Sequence, residues 1–105
     1  MSAHNYRITL EYTGGKKEGA DVPAPLSFEV GNHDDLFAII ANVRRSGMYD
    51  DDTAAALALG MKLFSEAMLT NRKDPLFAPM WAAYGEFIGQ FKERMRGAVP
   101  DAPPA

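Results

Sequence analysis

Polar and apolar residues alternate along two short segments near the start of the chain. The first segment covers residues 4–13 and the second lies near residues 26–30. Their apolar positions are Tyr6, Ile8, Leu10 and Tyr12 in the first segment, and Leu26, Phe28 and Val30 in the second. A period of two with β-branched and aromatic residues is typical of half-buried strands. We therefore predict two antiparallel strands that pair as a hairpin.

The segment that joins the two strands, residues 14–25, is rich in glycine, proline and charged residues. It is too long for a tight hairpin turn, so it predicts a mobile surface loop. Two interpretations stay open for it: a solvated connector, or a loop that binds a ligand or partner.

Apolar residues then recur at helical spacing from Leu36 to Val43. Asn32 is suited to cap this helix, with Asp35 as the acidic partner of a capping box. Gly47 follows two arginines at the point where a helix commonly ends. The pattern predicts a first helix over about residues 34–46.

A second helix is predicted from Thr53 to about residue 71, after three aspartates that favour a helix start. Its apolar arc covers roughly 200° of the helix surface, which is wider than the stripe of an ordinary surface helix. The arc comprises Leu57, Leu59, Leu63, Phe64, Met61, Met68, Ala56, Ala67 and Gly60. We therefore expect this helix to be central, with other elements on two sides.

Asp74 and Pro75 suit the start of another helix, but Pro79 would interrupt it. The sequence predicts a one-turn lead-in and a third helix from residue 78 or 79 to about residue 96. The fold class expected is α+β: a two-stranded antiparallel hairpin followed by three helices. We expect one domain over residues 1–97 and a proline-rich, disordered tail over residues 98–105.

Composition is compatible with this picture. The chain has 105 residues, of which 47% are hydrophobic, and a net charge of −3. That charge disfavours nucleic-acid binding, even though Arg44, Arg45, Arg72 and Lys73 offer some basic side chains. There is no cysteine, which excludes thiol chemistry and disulfides. The chain shows neither a signal peptide nor a membrane span, so we expect a cytoplasmic protein without membrane contacts.

Three segments together resemble a known family. They read NHDDLFAI at 32–39, DTAAALALGMKLF at 52–64 and NRKDPLF at 71–77. Read in order, they resemble the small bacterial proteins of the family called domain of unknown function 3861, over roughly residues 4–91. The resemblance implies a bacterial protein of about this size, and it implies neither an activity nor functional residues.

Few residues suggest chemistry. His33, Asp34 and Asp35 form the one cluster of a histidine with carboxylates, but neighbouring residues at a helix start point in different directions, so capping explains them better than a metal. The three aspartates at 50–52 lack the ligand spacing of a calcium loop. No nucleotide, serine-nucleophile or zinc motif occurs, and we expect neither a cofactor nor a metal.

We therefore expect a non-enzymatic protein-interaction module, with a protein partner or self-association as a homodimer through the edge of the hairpin. The alternative is a small-molecule binder or minor enzyme with a pocket between hairpin and helices. The candidate pocket or interaction residues are Tyr12, His33, Asp35, Phe37 and Glu66.

Overall fold

The structure is a computed structural model that describes residues 4–98. Its strands and helices are β1 (His4–Leu10), β2 (Leu26–Asn32), α1 (Leu36–Arg45), α2 (Asp51–Thr70) and α3 (Met80–Ala98). The α+β prediction, a two-stranded antiparallel sheet followed by three helices, is confirmed. The chain forms two compact units, which we call the hairpin unit (through His33) and the helical unit (from Asp34).

In the hairpin unit, β1 and β2 pair in an antiparallel register that runs from His4 opposite Asn32 to Leu10 opposite Leu26. The first strand ends at Leu10, three residues before its predicted end. Pro25 precedes Leu26 and has no N–H, so it cannot donate the next bond of the ladder. Residues 11–25 form the loop, which contains a short 3₁₀ turn at Gly19–Asp21.

The start of α1 differs from the prediction. Asp35, and not Asn32, is the N-cap: its carboxylate accepts the backbone N–H groups of Phe37 and Ala38. The helix therefore begins at Leu36, two residues later than expected. Its predicted end is confirmed, because Gly47 follows with a φ of 71°, in the left-handed region that favours glycine.

The core of the helical unit lies where α1 meets α2. Val43 of α1 packs with Ala54 and Ala58 of α2, all three almost fully buried, and half-buried side chains surround them. Among the described residues, α2 contributes four of the six buried apolar side chains: Ala54, Ala58, Met61 and Met68. The short alanine side chains let the two helices approach closely.

The buried stripe of α2 lies at one edge of the arc expected from the sequence. Ala54 and Ala58 were outside that arc, whereas Ala56, Gly60 and Ala67 were inside it and are exposed. The arc is broader than the surface that α1 and α3 cover. Part of it is therefore an uncovered apolar face.

The third helix also packs against the core. As predicted, a one-turn 3₁₀ lead-in at Pro75–Phe77, capped by Asp74, precedes it. The hydroxyl of Tyr84 donates to the carbonyl oxygen of Met61 at 2.7 Å. Phe91 and Met95 pack against the core cluster near the beginning of α2, so α3 runs antiparallel to α2.

Within residues 4–98, no helix combines the length and apolar content needed to cross a bilayer. The single domain over residues 1–97 stays a prediction. The predicted tail lies outside the described residues, except for Ala98, which ends α3.

The close packing of α1 against α2 predicts that a larger side chain at this contact destabilises the protein. Ala58→Leu adds volume where α1 and α2 already touch, so it should lower the free energy of unfolding by about 1–3 kcal/mol. Ala82→Leu, the same exchange at an exposed position of α3, is the control and should change it by less than about 0.5 kcal/mol. Urea denaturation of both variants is the measurement, and equal effects would contradict the assigned core.

Candidate functional site

The five residues singled out from the sequence fall in different places. Tyr12 and His33 belong to the hairpin unit, and Asp35, Phe37 and Glu66 belong to the helical unit. The structure brings Asp35 and Phe37 together at the first turn of α1. A common site for all five stays a prediction, as does the small-molecule alternative that depends on it.

The cluster of His33 and two aspartates separates into structural roles. Asp35 caps α1, while the carboxylate of Asp34 lies 2.7 Å from the amino group of Lys62 on α2. The Asp34–Lys62 pair is partly buried and links the segment before α1 to the middle of α2. The capping role that we expected for this cluster is confirmed for Asp35.

Phe37 and Glu66, two of the remaining candidate residues, differ in how far they are exposed. The side chain of Phe37 is 75% exposed, although it follows the buried Leu36. Glu66 is half-buried on α2, and its backbone carbonyl accepts the hydroxyl of Thr70. An exposed phenylalanine is better suited to contact a partner than to line a pocket.

Tyr12 organises the loop between the strands. Its phenol oxygen accepts the backbone N–H of Lys17 at 2.9 Å. Gly15 comes so close that a Cβ added there would lie 2.9 Å from the same oxygen, and its φ of 134° is one that other residues rarely adopt. Tyr12 therefore holds the first half of the loop in a folded turn.

Of the three aspartates at 50–52, one caps α2, and the other two lie in its first turn. Asp50 is the N-cap of α2, and its carboxylate accepts the N–H of Thr53 at 2.7 Å. That backbone hydrogen bond lowers the pKa of Asp50 below its ordinary value. Within residues 4–98, no three His, Cys, Asp or Glu side chains come close enough to hold a metal ion.

The connection after α2 forms an open hollow of about 400 Å³, lined by residues 70–74. Arg72 lies over the ring of Trp81, 5.8 Å from its centre, in a cation–π contact. Asp74, also on the rim, caps the lead-in to α3. The hollow is too open to enclose a small molecule. The contacts of Arg72 and Asp74 stabilise the turn itself.

The most unusual surface in the hairpin unit is apolar. Leu10, Leu26 and Phe28 are 68%, 56% and 41% exposed. Leu10 and Leu26 face each other at the loop end of the sheet, and Phe28 pairs with Ile8 beside them. The alternating pattern predicted that these side chains share a face, but it did not show that the face is left in contact with water.

The chain thus folds as a small α+β protein in which Asp35, Asp50 and Asp74 cap helices or helical turns. The chain belongs to the family described as a domain of unknown function with a solved structure, domain of unknown function 3861, whose model matches residues 4–93. This confirms the resemblance. The chain is also similar to a protein of unknown function from Pectobacterium atrosepticum, known from a crystal structure, with 33% identity and a TM-score of 0.72. The match covers 86% of this chain and 97% of that one. No curated protein matches the chain.

The contact of Tyr12 with the loop can be tested by substitution. Tyr12→Phe removes the acceptor of the Lys17 N–H, which is worth about 0.5–1.5 kcal/mol, so exchange of that amide should speed up about two- to tenfold. Gly15→Ala should speed up exchange of the Lys17 amide more than Gly14→Ala does. Both substitutions strain the backbone, but only a Cβ at position 15 meets the phenol oxygen of Tyr12. Adding Tyr12→Phe should remove this difference. A difference that persists would exclude the phenol contact as its cause.

The cap of α2 predicts a pH dependence. Because the folded-state pKa of Asp50 is lowered, its contribution to stability is complete above the unfolded-state pKa, about 3.9, and is lost as the pH falls through the folded value. Asp50→Ala should therefore lower the melting temperature at pH 7, and the deficit should shrink below pH ~4. Asp52→Ala removes a carboxylate from the same helix end without a capping bond to Thr53 and should show a smaller deficit at pH 7. Equal deficits for both variants would contradict the cap.

Proposed function

We propose that the protein is a non-enzymatic protein-interaction module whose hairpin binds an extended segment of another polypeptide. The observation that carries the proposal is the exposed apolar face at the loop end of the hairpin, formed by Leu10, Leu26 and Phe28. Large apolar side chains gathered on an exposed surface are typical of interaction sites.

The register of the sheet supports this function. Leu10–Leu26, Ile8–Phe28 and Tyr6–Val30 pair on one face. The other face is polar and includes a hydrogen bond of 2.8 Å between the hydroxyls of Thr9 and Ser27. An added strand with alternating apolar and polar residues would continue both faces.

The backbone supports it as well. In the part of the chain that the structure describes, the sheet has two strands, so each strand has a neighbour on one side only. A two-stranded sheet is marginally stable by itself, and the free edge of a strand is a template for another strand. Strand addition supplies backbone hydrogen bonds for affinity, while alternate side chains supply specificity.

The polar residues support a non-enzymatic role. Asp34, Asp35, Asp50 and Tyr12 are each engaged in an ion pair, a helix cap or a loop contact. A side chain that acts as a general acid or base has to point at a substrate, whereas these four side chains bond to groups of the protein itself. A cytoplasmic location stays a prediction.

Selection of displayed random peptides against the protein tests this function. We expect binders in which apolar and polar residues alternate, and we expect Leu10→Lys to weaken their binding about tenfold or more, because a charge would replace an apolar contact. Leu76→Lys is the matched control: Leu76 is 72% exposed, but it lies in the helical unit. NMR shifts on peptide binding should map to one outer edge of the hairpin.

The added strand can come from a second copy of the chain or from a different protein. The mass of the protein, measured without peptide, distinguishes these two sources. If a second copy supplies the strand, the wild type is a dimer that Leu10→Lys dissociates, and Leu76→Lys leaves it intact. If a different protein supplies it, Leu10→Lys changes peptide binding and leaves the mass unchanged. The absence of binders and of such a dimer, or binding that Leu10→Lys leaves unchanged, would contradict the proposal.

A further inference from the structure

The middle helix carries an apolar face that the helical unit does not cover. This outer face of α2 consists of Ala56, Gly60, Phe64 and Ala67, all of them exposed, over about three turns. The side chain of Phe64 is 38% exposed, although its ring touches Tyr84 and Phe77. An apolar helix face of this length that faces water is expected to have a partner.

The outer face carries no charge. After Asp52, the charged residues of α2 are Lys62 and Glu66. At 100° per residue, both lie on another side of the helix, and Lys62 is paired with Asp34. A partner can therefore cover the outer face without desolvating a charged group of α2.

We propose that the outer face of α2 binds the same face of a second copy of this chain, with the two helices antiparallel. The charges at the ends of the helix favour this occupant. Asp51 and Asp52 lie at the beginning of α2, and Arg72 and Lys73 lie just after its end. In an antiparallel pair, the acidic end of each helix lies beside the basic end of the other, whereas a parallel pair brings like charges together.

The side chains of the outer face complement one another in that arrangement. At 100° per residue, Asp52 lies on the flank of the outer face. When Asp52 lies opposite Arg72 of the second copy, Gly60 lies opposite Phe64 of the second copy, and Ala56 lies beside Ala67. A Cβ added to Gly60 would meet nothing within 4 Å, so the space above this glycine is open. The ring of Phe64 from the second copy fills that space, and twofold symmetry repeats the contact.

The contact between Arg72 and Trp81 keeps the guanidinium of Arg72 close to the end of α2, 5.8 Å from the centre of the ring. A charge held in one place loses less conformational freedom when it pairs with a partner. The proposed dimer therefore has a central apolar contact and two charged contacts at its ends. It leaves the hairpin available for the strand binding proposed above.

Sedimentation equilibrium of the complete chain tests the dimer. The wild type should reach twice the chain mass of 11.5 kDa with a dissociation constant below about 100 µM. Gly60→Leu fills the space that Phe64 needs and should raise the dissociation constant about tenfold or more. Gly89→Leu is the matched control, since Gly89 is also an exposed helical glycine with open space around it, but it lies on α3. It should leave the dissociation constant unchanged.

A loss of folding would not explain a weaker dimer of Gly60→Leu. Leucine favours helix more than glycine does, so this variant should keep the melting temperature of the wild type or exceed it. A charge exchange gives a second test. Asp52→Lys and Arg72→Glu should each weaken the dimer, and the double variant should restore at least half of the loss in binding free energy if the two residues pair across the interface.

The direction of the helices can be measured because the natural chain has no cysteine. Chains with Ala56→Cys, mixed with chains with Ala67→Cys, should form a disulfide-linked heterodimer under mild oxidation. Neither variant should crosslink efficiently when it is alone, because each position lies far from its own copy in an antiparallel pair.

Three results would overturn the proposal. The first is a wild type that stays monomeric at about 100 µM, which would mean that something other than a second copy covers the face. The second is a dimer that Gly60→Leu and Gly89→Leu affect equally. The third is a dimer that Leu10→Lys dissociates and Gly60→Leu does not, which would instead assign self-association to the hairpin.

Discussion

The close approach of α1 and α2 determines how the helical unit presents its surfaces. Val43 can pack directly against α2 because Ala54 and Ala58 place only methyl groups between the two helices. Once this side of α2 is turned toward α1, the position of every other residue on the helix follows from the helical repeat. Met61 meets α3, and the face with Gly60 points outward. The same alanines that form the core thereby direct an apolar face to the solvent.

Three aspartates of this chain begin helices or helical turns. Asp35, Asp50 and Asp74 each accept backbone N–H groups at the start of a helix or helical turn. In the sequence, aspartates beside a histidine or in a row of three resemble candidate ligands, but backbone N–H groups bond to the Oδ1 atoms of Asp35 and Asp50. The two surfaces proposed above for binding, the end of the hairpin and the outer side of α2, are instead apolar.

Periodicity was sufficient to predict the strands, the three helices, the ending at Gly47 and the lead-in at Asp74 and Pro75, because each depends on neighbouring residues. It was insufficient for the cap of α1, since Asn32 and Asp35 are both good caps and the register of the sheet keeps Asn32 in β2. The orientation of α2 also escaped prediction. Nearly every side of that helix is apolar or small, so its sequence hardly distinguishes the buried side. The exposure of Leu10 and Phe28 depends on what covers the sheet, which local pattern does not specify.

The two contacts of α2 differ in how much sequence change they tolerate. At the α1 contact, an added methylene has no room, because the helices meet through alanine. At the α3 contact, long side chains fill the gap: the rings of Phe64 and Tyr84 lie 5.6 Å apart, and Phe87 continues the row to Phe91. Rings and methionines can exchange for one another while the total volume is kept. Evolutionary drift in the family should thus leave small residues at 54 and 58 and reshuffle the aromatic layer, so that relatives differ most in the tilt of their last helix.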